Sequence, residues 1–186
     1  MSQVSATPVT TTGNYTIDPV HSRIGFSVRH MMVSKVRGQF SEYTGTGYFD
    51  ADDPAKSHAE LVIKAASIDT RNPDRDNHLR SNDFLDMEHY PEITFKTTEV
   101  KKVDESHFSV TGDLTIRGTS RPVTIDFEYL GATTDPWGKT RLGFEGSTTI
   151  NRRDWGVNWN AALEAGGVVV SDNVTLEVEV EAIKND

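Results

Sequence analysis

From Tyr15 to Ala182 the chain alternates apolar and polar side chains in one segment after another, the period of β-strands with one face buried. The last segment shows it most cleanly. In VTLEVEVEA, Val174, Leu176, Val178, Val180 and Ala182 interleave with Thr175, Glu177, Glu179 and Glu181, so one face is hydrocarbon and the other carries three carboxylates. Such a strand lies in a sheet with water on one side. The same alternation puts Ile24, Phe26 and Val28 on a first strand, Leu61 and Ile63 on a third, and Ile93 and Phe95 on a fourth. Phe108, Val110, Leu114 and Ile116 mark a fifth, Val123, Ile125, Phe127 and Tyr129 a sixth, and Leu142, Phe144 and Ile150 a seventh. Between the first and third runs a glycine-rich second strand, residues 36–50, which would extend roughly 45 Å at about 3.3 Å per residue.

The connections carry turn chemistry suited to antiparallel hairpins, such as Asp52-Asp53-Pro54, Arg117-Gly118-Thr119-Ser120 and Asp135-Pro136-Trp137-Gly138. Eight antiparallel strands with one apolar face form either a sandwich or a closed barrel, and closure is the solution that removes exposed edges. Periodicity alone does not choose between them. Gly38, Gly45, Gly47, Gly112, Gly143 and Gly146 suit bulges, bends and room near an interior.

One stretch, RDNHLRSNDFLDMEHYP at residues 75–91, breaks the alternation. Just before it stand Asn72 as an N-cap, Pro73 at the first helical position and Asp74 in the first turn, three helix-start signals in the right order. The pattern predicts a helix through Leu79 and Arg80, a restart at Ser81-Asn82-Asp83 and an end before Pro91, with Leu79, Phe84, Leu85 and Met87 as the apolar face. A helical insert between strands 3 and 4 can lid one mouth of a barrel.

The motifs YTIDPVHSRIGFSVRH, RDNHLRSNDFLDMEHYPEITF, GDLTIRGTSRPV and INRRDWG occur in the order and spacing of the YceI-like family, known as polyisoprenoid-binding, and the chain resembles that family over residues 15–183. The resemblance implies an all-β fold: an eight-stranded antiparallel lipocalin-like barrel whose apolar interior holds a long isoprenoid chain, a polyprenyl quinone or a polyprenyl phosphate. It implies a binding module with no cofactor beyond the lipid. Ile24, Phe26, Val28, Phe95, Leu114, Ile116, Ile125, Phe127, Phe144, Leu176 and Val178 would then line the tunnel. A homodimer is compatible with the resemblance, although no stretch marks its face.

Composition narrows the picture. The 186 residues read as one domain, residues 14–186, behind a Ser/Thr-rich N-terminal arm at 1–13 with no apolar period, expected to be disordered. Nineteen Lys and Arg against 28 Asp and Glu give a net charge of -9, which offers no general attraction to nucleic acid or anionic lipid surfaces. The chain has no cysteine, hence neither disulfide nor thiolate chemistry. With no export signal at its start and no run of about 20 apolar residues, it is expected to be cytoplasmic and without a stable membrane anchor.

Six histidines raise metal chemistry, with His21 and His30 on the first strand and His78 and His89 in the insert, but their spacing fits no zinc pattern and no metal is expected. His30, Arg75 and His78 are the candidates for a ligand head group. Arg71 and Arg75 flank a helix start that could hold a phosphate, yet five Asp from Asp69 to Asp86 outnumber the three Arg there, so a neutral quinone fits as well. Arg75 has a blander reading as partner to Asp74 or Asp76. No G-x-S-x-G or comparable nucleophile signature is present, so catalysis is not expected. Two other function classes stay open: an enzyme acting on a lipid or small apolar substrate with His30 or His78 as base, and a partner-binding stress protein using an acidic exterior and Trp137, Trp155 and Trp159. A short helical turn is expected at residues 160–164, before Gly166.

Overall fold

Extended chain dominates the described residues, 10–161, 163 and 169–185, of the computed structural model. The eight expected strands are present, three of them in two pieces. The first is β1 (Gly13–Ile17) followed by β2 (Arg23–His30), the second β3 (Ser34–Phe40) followed by β4 (Tyr43–Phe49), and the third β5 (His58–Lys64) followed by β6 (Ile68–Asp69). Helix α1 (Pro73–Arg80) precedes β7 (Glu92–Asp104), β8 (His107–Ile116), β9 (Thr119–Thr134), β10 (Thr140–Asn151) and β11 (Val170–Lys184).

The break in the first strand follows from Asp18-Pro19. Proline has no N–H for the ladder, and the Asp18 side chain accepts from the Val20 N–H at 3.0 Å, turning the chain. His21 therefore sits in this turn and not on a strand with His30. The third strand breaks at a 3₁₀ turn, Ala65–Ser67, where the Ala65 N–H donates to the Pro91 carbonyl at 2.9 Å.

Neighbouring strands pair antiparallel in the order β1, β4, β5, β7, β8, β9, β10, β11, and β11 returns to β1 with Tyr15 opposite Lys184. That return closes an eight-stranded ring and decides between sandwich and barrel. One edge of β11 pairs with β10, and the other serves two partners: its C-terminal residues pair with β1 and its N-terminal residues with β2, from which β3 and β6 extend the wall at that end. Apolar residues meet across the ladders, Phe26 opposite Leu176, Ile24 opposite Val178, Phe95 opposite Leu114 and Val110 opposite Ile125.

The helix starts as its sequence signals direct, with the Asn72 side chain accepting from the Arg75 N–H at 3.1 Å. It stops at Arg80, and residues 81–90 form turns where a second helical piece was expected. Ser81 explains the stop. Its hydroxyl donates to the His78 carbonyl at 2.6 Å and accepts from the Asp83 N–H, so side chain and backbone compete for the bonds a helix would need.

Residues 1–9 of the expected arm lie outside the described residues, as do 162 and 164–168 of the segment expected to hold a helical turn. The end of the arm is tied to the barrel: the Tyr15 hydroxyl donates to the Thr11 carbonyl at 2.6 Å, and the Thr12 hydroxyl accepts from the Ala51 N–H at 3.0 Å. Among the described residues no helix is long and apolar enough to cross a membrane.

Candidate ligand cavity

The inward faces of the strands do not meet at the barrel axis. They surround a cavity of about 380 Å³ whose wall includes all eleven residues expected to form a tunnel: Ile24, Phe26, Val28, Phe95, Leu114, Ile116, Ile125, Phe127, Phe144, Leu176 and Val178. Several of these, Phe95, Phe127, Leu176 and Val178 among them, are only partly buried although they face inward, because their remaining accessible surface belongs to the cavity. Glycines make room for the largest of them. A methyl group at Gly38 would lie 2.4 Å from the Phe26 ring, at Gly112 2.6 Å from Phe95, and at Gly146 2.8 Å from Phe127.

Four rings, Phe49, Phe108, Tyr129 and Phe144, form the floor, each with its centroid 5.2 to 6.3 Å from the other three. Beside them lie Tyr15, Leu142 and Ala182. Burial, then the neighbouring Tyr129, pushes the Tyr15 phenol up to about 12. At the opposite end β5 and β7 separate after the pairing of Lys64 with Glu92, and the chain between them folds over the opening. Leu79, Phe84 and Leu85 face the cavity from this roof.

Arginines clasp the roof down. Arg117, in the β8–β9 turn, donates to the carbonyls of Asn82 and Phe84 and to the Asn82 side chain. Arg80 donates to the carbonyls of Ala66 and Ile68 at 2.8 and 3.1 Å. Arg75 binds the Thr70 hydroxyl and carbonyl, each at 2.7 Å, and buried Asp76 accepts from the Thr70 N–H at 2.9 Å and from its hydroxyl. The charged stretch at residues 75–91 is thus largely a fastening.

None of the three head-group candidates is in the cavity wall. His30 ends β2, opposite Val170 and Ser34. Arg75 is engaged by Thr70. His78 comes nearest, its ring edge-on to Phe84 of the roof at 5.0 Å and to Trp159 at 4.6 Å, with Nε2 at 2.8 Å from the Asp83 carboxylate. The three are not gathered into one site.

The charged group that does reach the wall from the roof end is Arg152, and sequence reasoning passed over it. The residue is 5% exposed, and its guanidinium donates to the carbonyls of Val157 at 2.7 Å, Ser171 at 2.9 Å and Val170 at 3.3 Å. Burial pushes its pKa below the usual arginine range, opposed by the Asp172 carboxylate 3.8 Å away. Three of its five N–H groups are engaged by these carbonyls, and the other two make no hydrogen bond among the described residues. The signal was present: Leu142, Phe144, Gly146 and Ile150 fix the inward parity of β10, and Arg152 continues it. Other polar side chains in the wall, Thr46, Ser57, His58, Glu60 and Thr97, belong to its β4, β5 and β7 side.

One grouping among the described residues has metal-ligand chemistry: Asp18, His21 and Glu181, at the floor end. Arg141 sits among them, 2.9 Å from Asp18 and 3.8 Å from Glu181, and a guanidinium there repels a further cation. The His21 ring, and after it Arg141 and the Val20 N–H, hold the Asp18 carboxyl below its usual range. Of the tryptophans, Trp155 is core, its indole N–H donating to the Leu114 carbonyl at 2.8 Å; Trp159 packs on the roof; Trp137 is exposed.

A closed antiparallel ring around an apolar cavity, roofed by a helical insert, defines a lipocalin-like barrel protein. Residues 15–182 match the model of the YceI-like domain, and the chain belongs to the YceI-like family. A UPF0312 protein of Staphylococcus epidermidis is 43% identical over 168 residues, covering 90% of this chain and 95% of the relative. The solved YCEI protein of Campylobacter jejuni superposes with a TM-score of 0.74 at 32% identity, covering 85% of this chain and 90% of that one. A polyisoprenoid binding domain from Saccharophagus degradans shares the fold, with a TM-score of 0.67 at 13% identity over 94% of this chain and all of that one.

Proposed function

We propose that this protein binds and carries, or sequesters, a long-chain isoprenoid lipid, a polyprenyl quinone or polyprenyl phosphate, with its tail in the barrel. The observation that carries the reading is the cavity: about 380 Å³, within the range of pockets that bury most of a small ligand, and walled chiefly by hydrocarbon. Removing an isoprenoid tail from water contributes about 0.8 kcal/mol per buried CH₂, so affinity needs few polar contacts. The polyisoprenoid-binding relative from S. degradans supports the same ligand class by analogy of fold. Arg152 is the head-group partner we favour, because its two remaining N–H groups suit a quinone carbonyl or a phosphate oxygen. Binding without turnover is the better reading, since His30 and His78, the candidate bases, are absent from the cavity wall.

The test is mass spectrometry of an organic extract of the purified protein, together with titration of the delipidated protein with a polyprenyl quinone and a polyprenyl phosphate. An isoprenoid in the extract and saturable uptake of at least one of the two are expected. A lipid-free extract with no uptake would overturn the reading. Phe26→Asp places a carboxylate in the wall and is expected to abolish uptake.

A further inference from the structure

Charge is unevenly distributed in this acidic chain. Between Asp18 and Glu42 lie four basic side chains and no acid, and subtracting these four from the net -9 leaves -13 on the remainder. Arg23 is spent on Glu177, at 2.9 Å. The other three, Arg29, Lys35 and Arg37, are exposed on the outer face of the β2–β3 hairpin, and their side chains make no ion pair or hydrogen bond to any described residue.

The tip between them is apolar and open to solvent: Met31 is 45% exposed, Met32 62% and Val33 82%. Of the other large exposed apolar side chains among the described residues, Val103 stands beside Asp104 and Glu105, Val20 near Asp18, Tyr90 between Glu88 and Glu92 in sequence, Leu130 two residues from Glu128, and Trp137 near Asp135. Among the described residues, only this hairpin flanks an exposed apolar cluster with cations that make no ion pair to a described residue.

The tip is also built against its own stability. The Val33 N–H donates to the His30 carbonyl at 3.2 Å across a turn whose two central residues, Met31 and Met32, have φ of 50° and 64°. A turn with both central residues left-handed favours Asn-Gly, and an L residue with a side chain held there costs about 1–2 kcal/mol. Arg29 stands directly opposite Lys35, a like-charge cross-strand pair. Methionines where Asn-Gly would hold the turn better, and cations where a charge pair would hold the ladder better, mark a surface shaped for contact.

From these observations we propose that the β2–β3 tip docks on an anionic lipid bilayer, Met31, Met32 and Val33 entering the interface while Arg29, Lys35 and Arg37 meet acidic head groups. The global charge that disfavours an anionic surface is overcome locally, because the acids lie outside this hairpin. The tip adjoins one end of the cavity: Val28 and Val170, both in the wall, flank its base, where His30 pairs with Val170 and the Met31 N–H donates to the Val169 carbonyl at 2.8 Å. Docking there presents that end of the barrel to the membrane. The purpose of the contact rests on the carriage reading; its occurrence does not.

The experiment is co-sedimentation of the full chain with vesicles of phosphatidylcholine alone and with vesicles of equal parts phosphatidylcholine and phosphatidylglycerol. Binding to the anionic vesicles, reduced by salt, is expected. Each neutralised cation is worth about fivefold in partition, so Arg29→Gln, Lys35→Gln and Arg37→Gln together should lose roughly a hundredfold. Met31→Asn with Met32→Gly should also weaken partition while raising the thermal midpoint, so lost binding is not lost folding. Equal partition to both vesicle types, or variants that bind as the parent does, would overturn the proposal. A parallel arm delivers a polyprenyl quinone and, separately, a polyprenyl phosphate from ethanol without vesicles, uptake of either counting as uptake. Uptake there without anionic-vesicle binding overturns docking and leaves carriage; vesicle binding without uptake supports docking and overturns carriage.

Discussion

Arg152 shows how one side chain can serve fold and ligand together. Its guanidinium ties the end of β10 to the start of β11 through the Val170 and Ser171 carbonyls and holds the following loop through that of Val157, and a buried carbonyl deprived of its donor costs about 1–3 kcal/mol. Arg152→Leu is expected to destabilise the protein by roughly 3 kcal/mol, measured by urea unfolding. If the guanidinium also meets the head group, the folded fraction of the variant should bind a polyprenyl quinone more weakly while still accepting the tail. The position was readable by carrying the β10 parity one step past Ile150. The three carbonyls that hold it were not, since they come from residues brought near by folding. Gly38 and Phe26 teach the converse lesson: alternation put Phe26 on the inner face, but only pairing across the hairpin showed that a glycine makes space for its ring.

At the scale of elements, the strands were legible because a period of two is a local property, and so was the start of α1, whose cap signals lie within a few residues. The interruption at residues 65–67 was not, because there the Ala65 N–H turns to the carbonyl of the distant Pro91; the one at 18–22 did carry a local signal, Asp18-Pro19, which the alternation on either side masked. The roof is held by side chains reaching from elsewhere, Arg117 above all. Arg117→Ala should leave the barrel intact and free residues 82–84: loss of its charge-assisted bonds is worth about 2 kcal/mol of local opening. Amide exchange at Phe84 and Leu85 should then rise roughly thirtyfold, with barrel amides unchanged. Equal acceleration in the strands would show that Arg117 supports the whole fold and not the roof.

The molecule as a whole is a closed wall around a space its own side chains do not fill. An unfilled apolar space forgoes dispersion contacts, so the empty barrel is expected to gain stability from any tail that occupies it. At a free lipid concentration a hundredfold above Kd the gain is about 2.7 kcal/mol, and calorimetry should show the melting midpoint rising with lipid and falling on delipidation. A midpoint indifferent to lipid at saturating uptake would place the ligand outside the barrel. What the sequence determined by itself is which side chains share a face, because alternation and turn chemistry act between residues close along the chain. Closure was decided in three dimensions: it rests on β1 pairing with β11, nearly the length of the chain apart, and no local period encodes a partner at that distance. The cavity was decided there as well, since whether eight inward faces fill their bore or leave it open depends on how the aromatic floor, the inner glycines and the clasped roof fit together.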